Sequence, residues 1–553
     1  MSYTWSYYLT CEKVKQGIGF CRVYPVQKDL LQVFAYLCAH PLDWFAHKYL
    51  LEELQTKSKE EVKKIFLQFL HPELCSIFAL ELMRLKPELE PVLKDFATKI
   101  DKNYTPFLTL YQLDHLPDHD LHQQWLDYLK QRQILPEDKV NPPEFLPSQP
   151  AGQEHLFVSP QFIPLAKSFT KPRSYGSYEF LKTVYNKLKE QKIFKSSEFQ
   201  HEQGLCPVNL WRKWKFKKRI HTQKLDYEFC AEQISFGRGF NFDEARLRLY
   251  MEMAERFSAY ANICDNVLID LKEKKKLYVG SYAEISKKHL ALDPAQLHPD
   301  LPYTNEPLFW IKGVQKISQH RFQEIFLPAQ LVFLFFNPGE VQLASSLGST
   351  GLAAGKTIEQ ARLNGLLEII ERDSEALSLF SWDKVFEVDF KGSKWEDFFA
   401  RLKKRKIFVY FQDLSAVHGV PCFKAFIVTK DNKFIKGCAA HLNSLRALLS
   451  AATEIPYGVK AEVTQQLEVG RKKWSDFLDF SSNETGSDLD ALENHLLNQK
   501  LYPIYVDLTH ADLNIPVVRS VLPDLEPLPD FDFTSRLSKR LYSLAQSEYF
   551  RNI

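Results

Sequence analysis

The chain has 553 residues, of which 45% are hydrophobic and 25% charged. This length and balance predict a soluble globular protein of two to four domains, and they exclude a disordered or fibrous chain. The formal net charge is +2, so overall charge gives no reason to expect a nucleic-acid partner. No apolar run reaches the ~18 residues of a membrane-spanning helix, and the first twenty residues lack the features of a secretory signal.

The nine cysteines are spread along the chain without a C-x-x-C pair. An odd number of scattered cysteines in a large chain predicts buried thiols rather than a disulfide framework or a zinc site. We therefore expect a cytoplasmic protein that does not contact a membrane.

Residues 1–135 predict a mainly helical N-terminal domain. After a strand or two within residues 1–20, apolar residues recur at helical spacing from Lys28 to about Leu129. Ser58 and Glu61 form a capping-box pattern at the start of one helix. A helical packing module is the preferred interpretation. A winged-helix unit is the alternative, although no wing hairpin follows in the sequence.

Residues 136–220 predict a linker and an accessory segment. Pro, Ser and Gly are concentrated in 136–175, and a helical pattern follows at 176–193. The run WRKWKFKKR at 211–219 combines phosphate-binding charge with rings that stack on bases. It also fits an edge strand whose lysines oppose aggregation. Because the run is short and the chain is balanced in charge, a nucleic-acid partner is not favoured.

After residue 221 the pattern mixes helices with strands, which predicts an α+β core. The tail at 531–553 is expected to form an amphipathic helix or to fray. KWEDFFARLKKRK (394–406) and SDLDALENHLLNQKL (487–501) predict helices. Runs rich in Val, Ile, Phe and Tyr predict strands at 326–336, 406–415, 422–430 and 502–509.

Two stretches of this core repeat each other. GFNFDEARLRLYMEMAERFS (239–258) and GKTIEQARLNGLLEIIERDS (355–374) are identical at eight of twenty positions, at an offset of 116 residues. Each begins with a glycine, where a tight turn is easily made. A helix-start pattern follows, such as the capping box of Thr357 and Gln360. Apolar residues then recur at helical spacing, which predicts two equivalent helices.

Each repeated helix carries a Glu-x-x-Glu-Arg sequence whose charges share one flank, because residues three and four apart are neighbours on a helix. Like charges side by side cost roughly 0.2–0.5 kcal/mol, so the same arrangement in two helices suggests a cation between them. Carboxylates suit Mg²⁺, which bridges to substrate phosphates. An ordinary solvated helix face explains one copy better than two. The residues are Glu252, Glu255 and Arg256 in the first copy, and Glu368, Glu371 and Arg372 in the second.

A weaker third copy is ALLSAATE (447–454), in which Glu454 matches the first Glu of the other two. Pro456 follows, and Tyr457 stands where a second Glu is expected. Since Pro cannot continue a helix, this helix is predicted to end or kink near Ile455.

Four segments resemble the YcaO family in their order and spacing. The resemblance covers roughly 235–528. It implies an α+β, YcaO-like core at 221–530 with an internal pseudo-repeat of Glu-x-x-Glu-Arg helices, preceded by the N-terminal domain and followed by the tail. The most specific segment is SSLGSTGLAAGKTIEQARLNGLLEIIERDS, and the four together lie at 235–258, 345–374, 437–454 and 502–528.

The resemblance implies ATP and Mg²⁺ as cofactors and ATP-dependent modification of peptide backbone amides. A nucleophile attacks a backbone carbonyl, the oxyanion takes the γ-phosphoryl group, and phosphate leaves to give an azoline or a related product. The enzyme positions the reactants and neutralises charge at the phosphates. This is the cyclodehydratase chemistry of thiazole- and oxazole-modified peptide biosynthesis. The implied partners are a peptide substrate, a leader-peptide-binding protein and a second copy in a homodimer.

The resemblance also implies site residues, although it assigns none to catalysis. The arginines contact phosphates or orient the carboxylates, and Glu454 lies at the third nucleotide-contacting position. The implied ATP-binding residues are Arg256, Arg372, Glu454, Gly355 and Lys356, and the implied Mg²⁺ ligands are Glu252, Glu255, Glu368 and Glu371.

Three departures from the family pattern leave the activity open. Gln360 replaces a glutamate, Pro456 and Tyr457 interrupt the third copy, and 24 residues follow the partial proline motif that ends at Pro529. A degenerate scaffold or binding subunit without turnover is therefore the alternative. The sequence does not distinguish an azoline from a thioamide or an amidine product.

Overall fold

The computed structural model describes residues 5–11, 21–98, 102–107, 116, 118–144, 178–200, 204–297, 303–343, 348–457, 463–482, 484–526 and 535–551. Within these ranges the chain forms three β-sheets and the helices that pack on them, an α+β architecture as predicted. Most of the predicted linker, residues 145–177, lies outside the described residues. None of the helices described is both long and apolar enough to cross a membrane.

The N-terminal region consists of two strands followed by short helices that pack around an apolar core. Ser58 and Glu61 form the predicted capping box. Cys21 is disulfide-bonded, which corrects the expectation of free thiols, because cysteine spacing does not reveal which strands meet. The helices are Leu30–Ala39, Trp44–Gln55, Lys59–Phe66, Pro72–Leu85, Glu90–Leu93 and His119–Arg132.

The first sheet joins the N-terminal strands to a long hairpin. The hairpin strands Val208–His221 and Asp226–Gly239 pair antiparallel along their whole length. The expected boundary between residues 220 and 221 therefore falls inside one hairpin. The strand order is Cys21–Pro25, Trp5–Cys11, Asp226–Gly239, Val208–His221, Ile263–Cys264, Val267–Leu268 and Lys275–Lys276, with Phe199–Gln200 beside Val208–His221.

The basic run at 211–219 is an inner strand of this sheet, which corrects the edge-strand interpretation made from the sequence. Trp214 and Phe216 are buried, because side chains alternate between the two faces of a strand. Charges on the outer face pair with acidic residues of the next strand, as Lys217 does with Glu228 at 2.6 Å. The two buried rings are therefore not available to stack on nucleic-acid bases.

The second and third sheets form the rest of the core. The predicted strands at 406–415, 422–430 and 502–509 are confirmed. The strand predicted at 326–336 ends at Pro328, since the apolar residues after it are buried in a turn rather than in a strand. The strand order of the second sheet is Arg321–Pro328, Leu308–Ser318, Ile504–Asp507, Val517–Val521 and Leu352–Ala354, with Tyr278–Gly280 beside Leu308–Ser318. The strand order of the third sheet is Phe434–Ala440, Cys422–Val428, Tyr410–Asp413, Val385–Asp389 and Gly470–Lys473.

Three helices that pack on these sheets carry the repeated acidic residues. The first Glu helix is Phe242–Ala259 and lies on the long hairpin. The second Glu helix, Ile358–Leu377, lies on strand Val517–Val521. The third helix, Ser444–Glu454, ends where the sequence predicts. The remaining helices are Tyr178–Glu190, Tyr282–Ser286, Glu396–Lys404, Thr485–Asn498 and the C-terminal helix Lys539–Arg551.

Close packing, rather than a tight turn, explains the glycine that opens each repeat. A Cβ on Gly239 would lie 2.6 Å from the backbone nitrogen of Ala245, and a Cβ on Gly355 would lie 2.4 Å from that of Ala361. Neither glycine has a positive φ. The chain entering each helix therefore runs against the helix's own first turn, and the repeat preserves the glycine and alanine that permit this contact.

Candidate functional site

The two Glu helices and the third helix bring five glutamates to one cleft. Glu255 on the first Glu helix lies close enough to Glu368 on the second for their charges to repel each other. Glu371 faces Glu454 of the third helix in the same way. The side chains of Glu255, Glu368 and Glu371 are 17%, 27% and 12% exposed. These three carboxylates therefore line a cleft and do not project into bulk solvent, whereas Glu454 at the end of the third helix is exposed.

Burial raises the pKa of each of the four repeated glutamates. The pKa of Glu255 rises to about 8, because burial disfavours its charge and because Glu368 and Glu252 repel it, although Arg256 opposes the shift. Burial also raises the pKa of Glu371 well above its usual range, with Glu454 adding to the rise. A bound cation would favour the charged forms of these side chains.

Equivalent glutamates of the two repeats also hold equivalent pieces of backbone. Glu252 accepts a hydrogen bond from the Phe236 N–H at 2.9 Å, and Glu368 accepts one from the Gly351 N–H at 3.1 Å. Each bond fastens a Glu helix to the chain that precedes it. One oxygen of each carboxylate is used in this way, and the other oxygen of Glu368 lies 3.7 Å from Arg372.

The arginine of each repeat lies beside its own glutamates. Arg256 Nε is 3.6 Å from Glu255 Oε1. The two terminal nitrogens of Arg372 are each 3.7 Å from a carboxylate oxygen, one on Glu368 and one on Glu371. These pairs are long and partly exposed, so they are weak ion pairs that an incoming ligand can replace.

Three further arginines border the cleft, and the sequence reasoning did not single them out. Arg238 and Arg248 lie near Glu454 and favour its charged form. Arg519 is buried and donates to the Leu331 carbonyl at 2.8 Å. Burial lowers its pKa to about 10, with Glu368 opposing the shift. Arg238 stands in the Gly-Arg-Gly run that precedes the first repeat, which is the only local signal that marks it.

The donor set fits Mg²⁺ with an anionic ligand, because glutamate oxygens are hard ligands and arginines bind phosphate. The present side-chain arrangement does not yet form such a site. Among the residues described, no three acidic, imidazole or thiol groups stand at the spacing that holds a metal ion. The carboxylates would have to turn away from Arg256 and Arg372 to coordinate one.

Gly355 lies near the first Glu helix, because the backbone of the preceding residue, Ala354, hydrogen-bonds to Glu255, whereas Lys356 lies far from the glutamates of its own repeat. Both precede the second Glu helix, so Lys356 is ~18 Å along the helix axis from Glu368. Its ammonium group lies over the ring of Phe180 at 5.1 Å. The Gln360 N–H donates to the Thr357 hydroxyl at 3.3 Å, which is one half of the predicted capping box, but the Gln360 side chain accepts from the Lys356 N–H at 2.9 Å and not from that of Thr357.

A cavity of about 280 Å³ adjoins the cleft between the two Glu helices and the third helix. Arg248 and Asn364 line it, each one helical turn before the first glutamate of its repeat. Thr453 lines it from the third helix, next to Glu454. An occupant of this cavity would therefore lie beside the carboxylate cluster.

Comparison with known proteins identifies the region that contains these helices. The YcaO family model, described as a cyclodehydratase that binds ATP and Mg²⁺, matches residues 236–466. This chain carries a YcaO domain. The match includes both Glu helices and the third helix, whereas the N-terminal helices and the C-terminal helix lie outside it.

The chain is similar to curated and solved proteins over more than half of its length. An uncharacterized protein of Methanothermobacter thermautotrophicus is 27% identical over 333 residues, 54% of this chain and 82% of that protein. A YcaO protein of Methanopyrus kandleri, solved with AMPPCP and Mg²⁺, is 20% identical with a TM-score of 0.47, over 66% of this chain and 95% of that one.

A heterocyclase solved with substrate and cofactor is 17% identical with a TM-score of 0.49. The similarity covers 69% of this chain but 58% of the heterocyclase, which is less than two thirds of its length.

Proposed function

We propose that the YcaO domain binds ATP and Mg²⁺ and uses them to modify backbone amides of a peptide, as in azoline formation during the biosynthesis of ribosomally made, modified peptides. The observation that carries the proposal is the cleft itself. Glutamates from three helices and arginines from two repeats meet there, and the glutamates repel one another in the absence of a cation. A divalent cation would balance the charge of the glutamates, and a polyphosphate would balance the charge of the arginines.

In this proposal the four repeated glutamates hold Mg²⁺, while the arginines bind phosphate oxygens. Arg256 and Arg372 change partners when the ligand enters, from carboxylates to phosphates, which frees carboxylate oxygens to coordinate the metal. Arg519 donates to the Leu331 carbonyl, so its guanidinium group is already oriented before the ligand binds. Preorganised charge of this kind stabilises a transferring phosphoryl group at little cost of reorganisation.

Bound Mg-ATP supplies the phosphoryl group that activates an amide oxygen as a leaving group. The residues of the chain supply orientation and charge neutralisation. The cavity next to Arg248, Asn364 and Thr453 opens beside the carboxylates and gives the peptide a place to approach. A leader-peptide-binding partner protein and a homodimer belong to the same proposal.

The alternative is a YcaO-like scaffold that binds its ligand without turnover, and two observations favour it. Gln360 uses its side-chain oxygen to accept from the Lys356 N–H and supplies no charge to the cleft. Tyr457, which replaces an expected glutamate, is buried in an apolar cluster. Both positions have thus become structural, while the four glutamates of the two repeats keep their arrangement.

A titration with separate ligands tests the proposal. The thermal stability of the protein is measured with Mg²⁺ alone, with ATP alone and with both. Binding at ~100 times Kd adds about 2.7 kcal/mol to the stability of the folded state, and we expect the largest shift with Mg²⁺ and ATP together. The absence of a shift at millimolar Mg-ATP would remove the proposed function.

Turnover separates the enzyme from the scaffold. Candidate peptides and partner protein are added with Mg-ATP, and the peptide is examined by mass spectrometry for the loss of one water per modified residue. Phosphate release that depends on the peptide supports the enzyme. Binding of Mg-ATP without phosphate release or peptide modification supports the scaffold.

A further inference from the structure

The second Glu helix is fixed by a residue that follows its Glu-x-x-Glu-Arg sequence directly. Asp373 is fully buried. One of its oxygens accepts from the Glu526 N–H at 2.8 Å and from the Arg540 guanidinium group. The other lies 2.6 Å from His418 Nε2. A single carboxylate therefore ties the helix to three separate segments, and the segments that carry Glu526 and Arg540 lie outside the matched YcaO region.

Asp373 lies on the side of the helix opposite to the acidic cluster. With 3.6 residues per turn, it is rotated by about 160° from Glu371 and by about 140° from Glu368. A contact that holds Asp373 therefore sets the rotation of the helix about its axis. That rotation decides where Glu368 and Glu371 point on the other side.

The C-terminal helix that carries Arg540 is itself firmly held. Glu548 forms a buried ion pair with Arg132 at 3.3 Å, which joins the helix to the N-terminal region. Leu541 and Tyr542 belong to an apolar cluster that includes Leu377, the last residue of the second Glu helix. Arg540 is thus presented by a packed helix and not by a loose tail, and its side chain is only 15% exposed.

The N-terminal region completes this anchor at the end of the second Glu helix. The side-chain amide of Gln133 donates to the Ala376 carbonyl at 3.0 Å. The Phe380 N–H donates to the Arg132 carbonyl at 2.7 Å. Carbonyls in the last turn of a helix have no partner within the helix, so these bonds fix an end that would otherwise fray.

We propose that Arg540 is a positioning residue for the divalent-cation site. Through Asp373 it sets the orientation of the second Glu helix, and thereby the spacing of Glu368 and Glu371 from the glutamates of the first Glu helix. This inference rests on the proposed function, because it concerns the same cation site. It assigns to the C-terminal helix a role in metal affinity that goes beyond packing.

The test measures metal affinity directly, with Mn²⁺ as a paramagnetic probe and AMPPCP present, well below the unfolding temperature. We expect Arg540→Ala to weaken Mn²⁺ binding about fivefold or more, in the range of couplings between linked sites. Arg540→Lys keeps the charge but loses the planar guanidinium fork, so it should restore part of the affinity. Arg551→Ala is the matched control, since Arg551 is on the same helix, pairs with Glu548 at 2.7 Å and is 62% exposed. The Mn²⁺ affinity of this variant should equal that of the wild type.

Each outcome decides the inference. A purely structural role for Arg540 would lower the unfolding temperature and leave Mn²⁺ affinity unchanged, and that result would overturn the inference while the proposed function stands. Equal weakening by Arg551→Ala would overturn it too. If Arg540→Ala does not fold, the Arg540→Lys affinity decides in its place: weaker binding than wild type supports the role, and unchanged binding overturns it. Failure of the wild type to bind Mn²⁺ would remove the proposed function itself.

Discussion

Replacing Glu255 by glutamine should stabilise the protein in the absence of ligand and weaken its response to Mg-ATP. The pKa of Glu255 is raised from 4.5 to about 8, first by burial and then by repulsion from Glu368 and Glu252. At 1.36 kcal/mol per pKa unit, holding this carboxyl group protonated at pH 7, where the unfolded chain ionises it, costs the folded state about 3 kcal/mol. Its side chain is mostly shielded from solvent, so most of that cost should be recovered in the glutamine variant.

The sign of the pH dependence follows from the raised pKa. Below about pH 4.5 the carboxyl group is neutral in both the folded and the unfolded state, so it costs nothing. As the pH rises from about 4.5 to 8, the unfolded state ionises first, and the wild type loses stability relative to the variant. Above about pH 8 the difference in stability between the two proteins reaches its maximum. Added Mg-ATP should make the wild type the more stable of the two, because its carboxylate can bind the cation and the glutamine of the variant cannot.

The assay is denaturant unfolding of wild type and Glu255→Gln at pH 5 and pH 8, with and without Mg-ATP. Glu359→Gln is the matched control, because Glu359 lies at the start of the second Glu helix and its pKa is lowered by the Thr357 side chain and the helix N-terminus. The control should lose a little stability at both pH values. A Glu255→Gln protein that is less stable than wild type at pH 8 without ligand would refute the reasoning.

Three further predictions follow from particular contacts. Glu371→Gln should reduce the thermal shift produced by Mg-ATP, and an unchanged shift would exclude this side chain from the site. Gly355→Ala should destabilise the protein by about 1–3 kcal/mol in denaturant unfolding, since the new Cβ would lie 2.4 Å from a backbone nitrogen; no loss would contradict the packing argument. Lys217→Ala should leave retention on single-stranded nucleic acid unchanged, because that lysine pairs with Glu228 and the rings beside it are buried.

Local patterns predicted the longer helices and several of the strands, but not strands such as Leu308–Ser318 and Val517–Val521. The repeated helices were predictable because their caps, apolar spacing and charges agree with one another. The end of the third helix was predictable because Pro456 cannot continue it. The strand expected at 326–336 was wrong beyond Pro328, since an apolar run indicates burial and does not by itself show an extended chain.

The convergence of the acidic helices could be inferred from the repeat, but the residues that complete the cleft could not. Arg519 is brought there from strand Val517–Val521, which is distant in sequence from both repeats. Asp373 and Arg540 meet across 167 residues. The spacing of residues along one helix carries no information about such contacts, because they depend on how the sheets and helices pack.

The resemblance implied that Lys356 binds ATP, and this stays a prediction. The structure places Lys356 ~18 Å along the helix axis from Glu368, so any contact with ATP would be made away from the glutamates of the second repeat. The edge-strand interpretation of the basic run at 211–219 was wrong, because short strands that are not part of its hairpin pair with its other side. Trp214 and Phe216 are two residues apart, and a strand directs alternate residues to opposite faces, so both rings enter the core.

The most direct test of the account is a structure of the protein with a non-hydrolysable ATP analogue and Mn²⁺ in place of Mg²⁺, in which anomalous scattering locates the ion. The account predicts the ion in the cleft between the first and second Glu helices, with carboxylate oxygens from both helices coordinating it and Arg256 and Arg372 turned toward the phosphates. An ion bound elsewhere, or a nucleotide bound while those arginines keep their carboxylate partners, would contradict it.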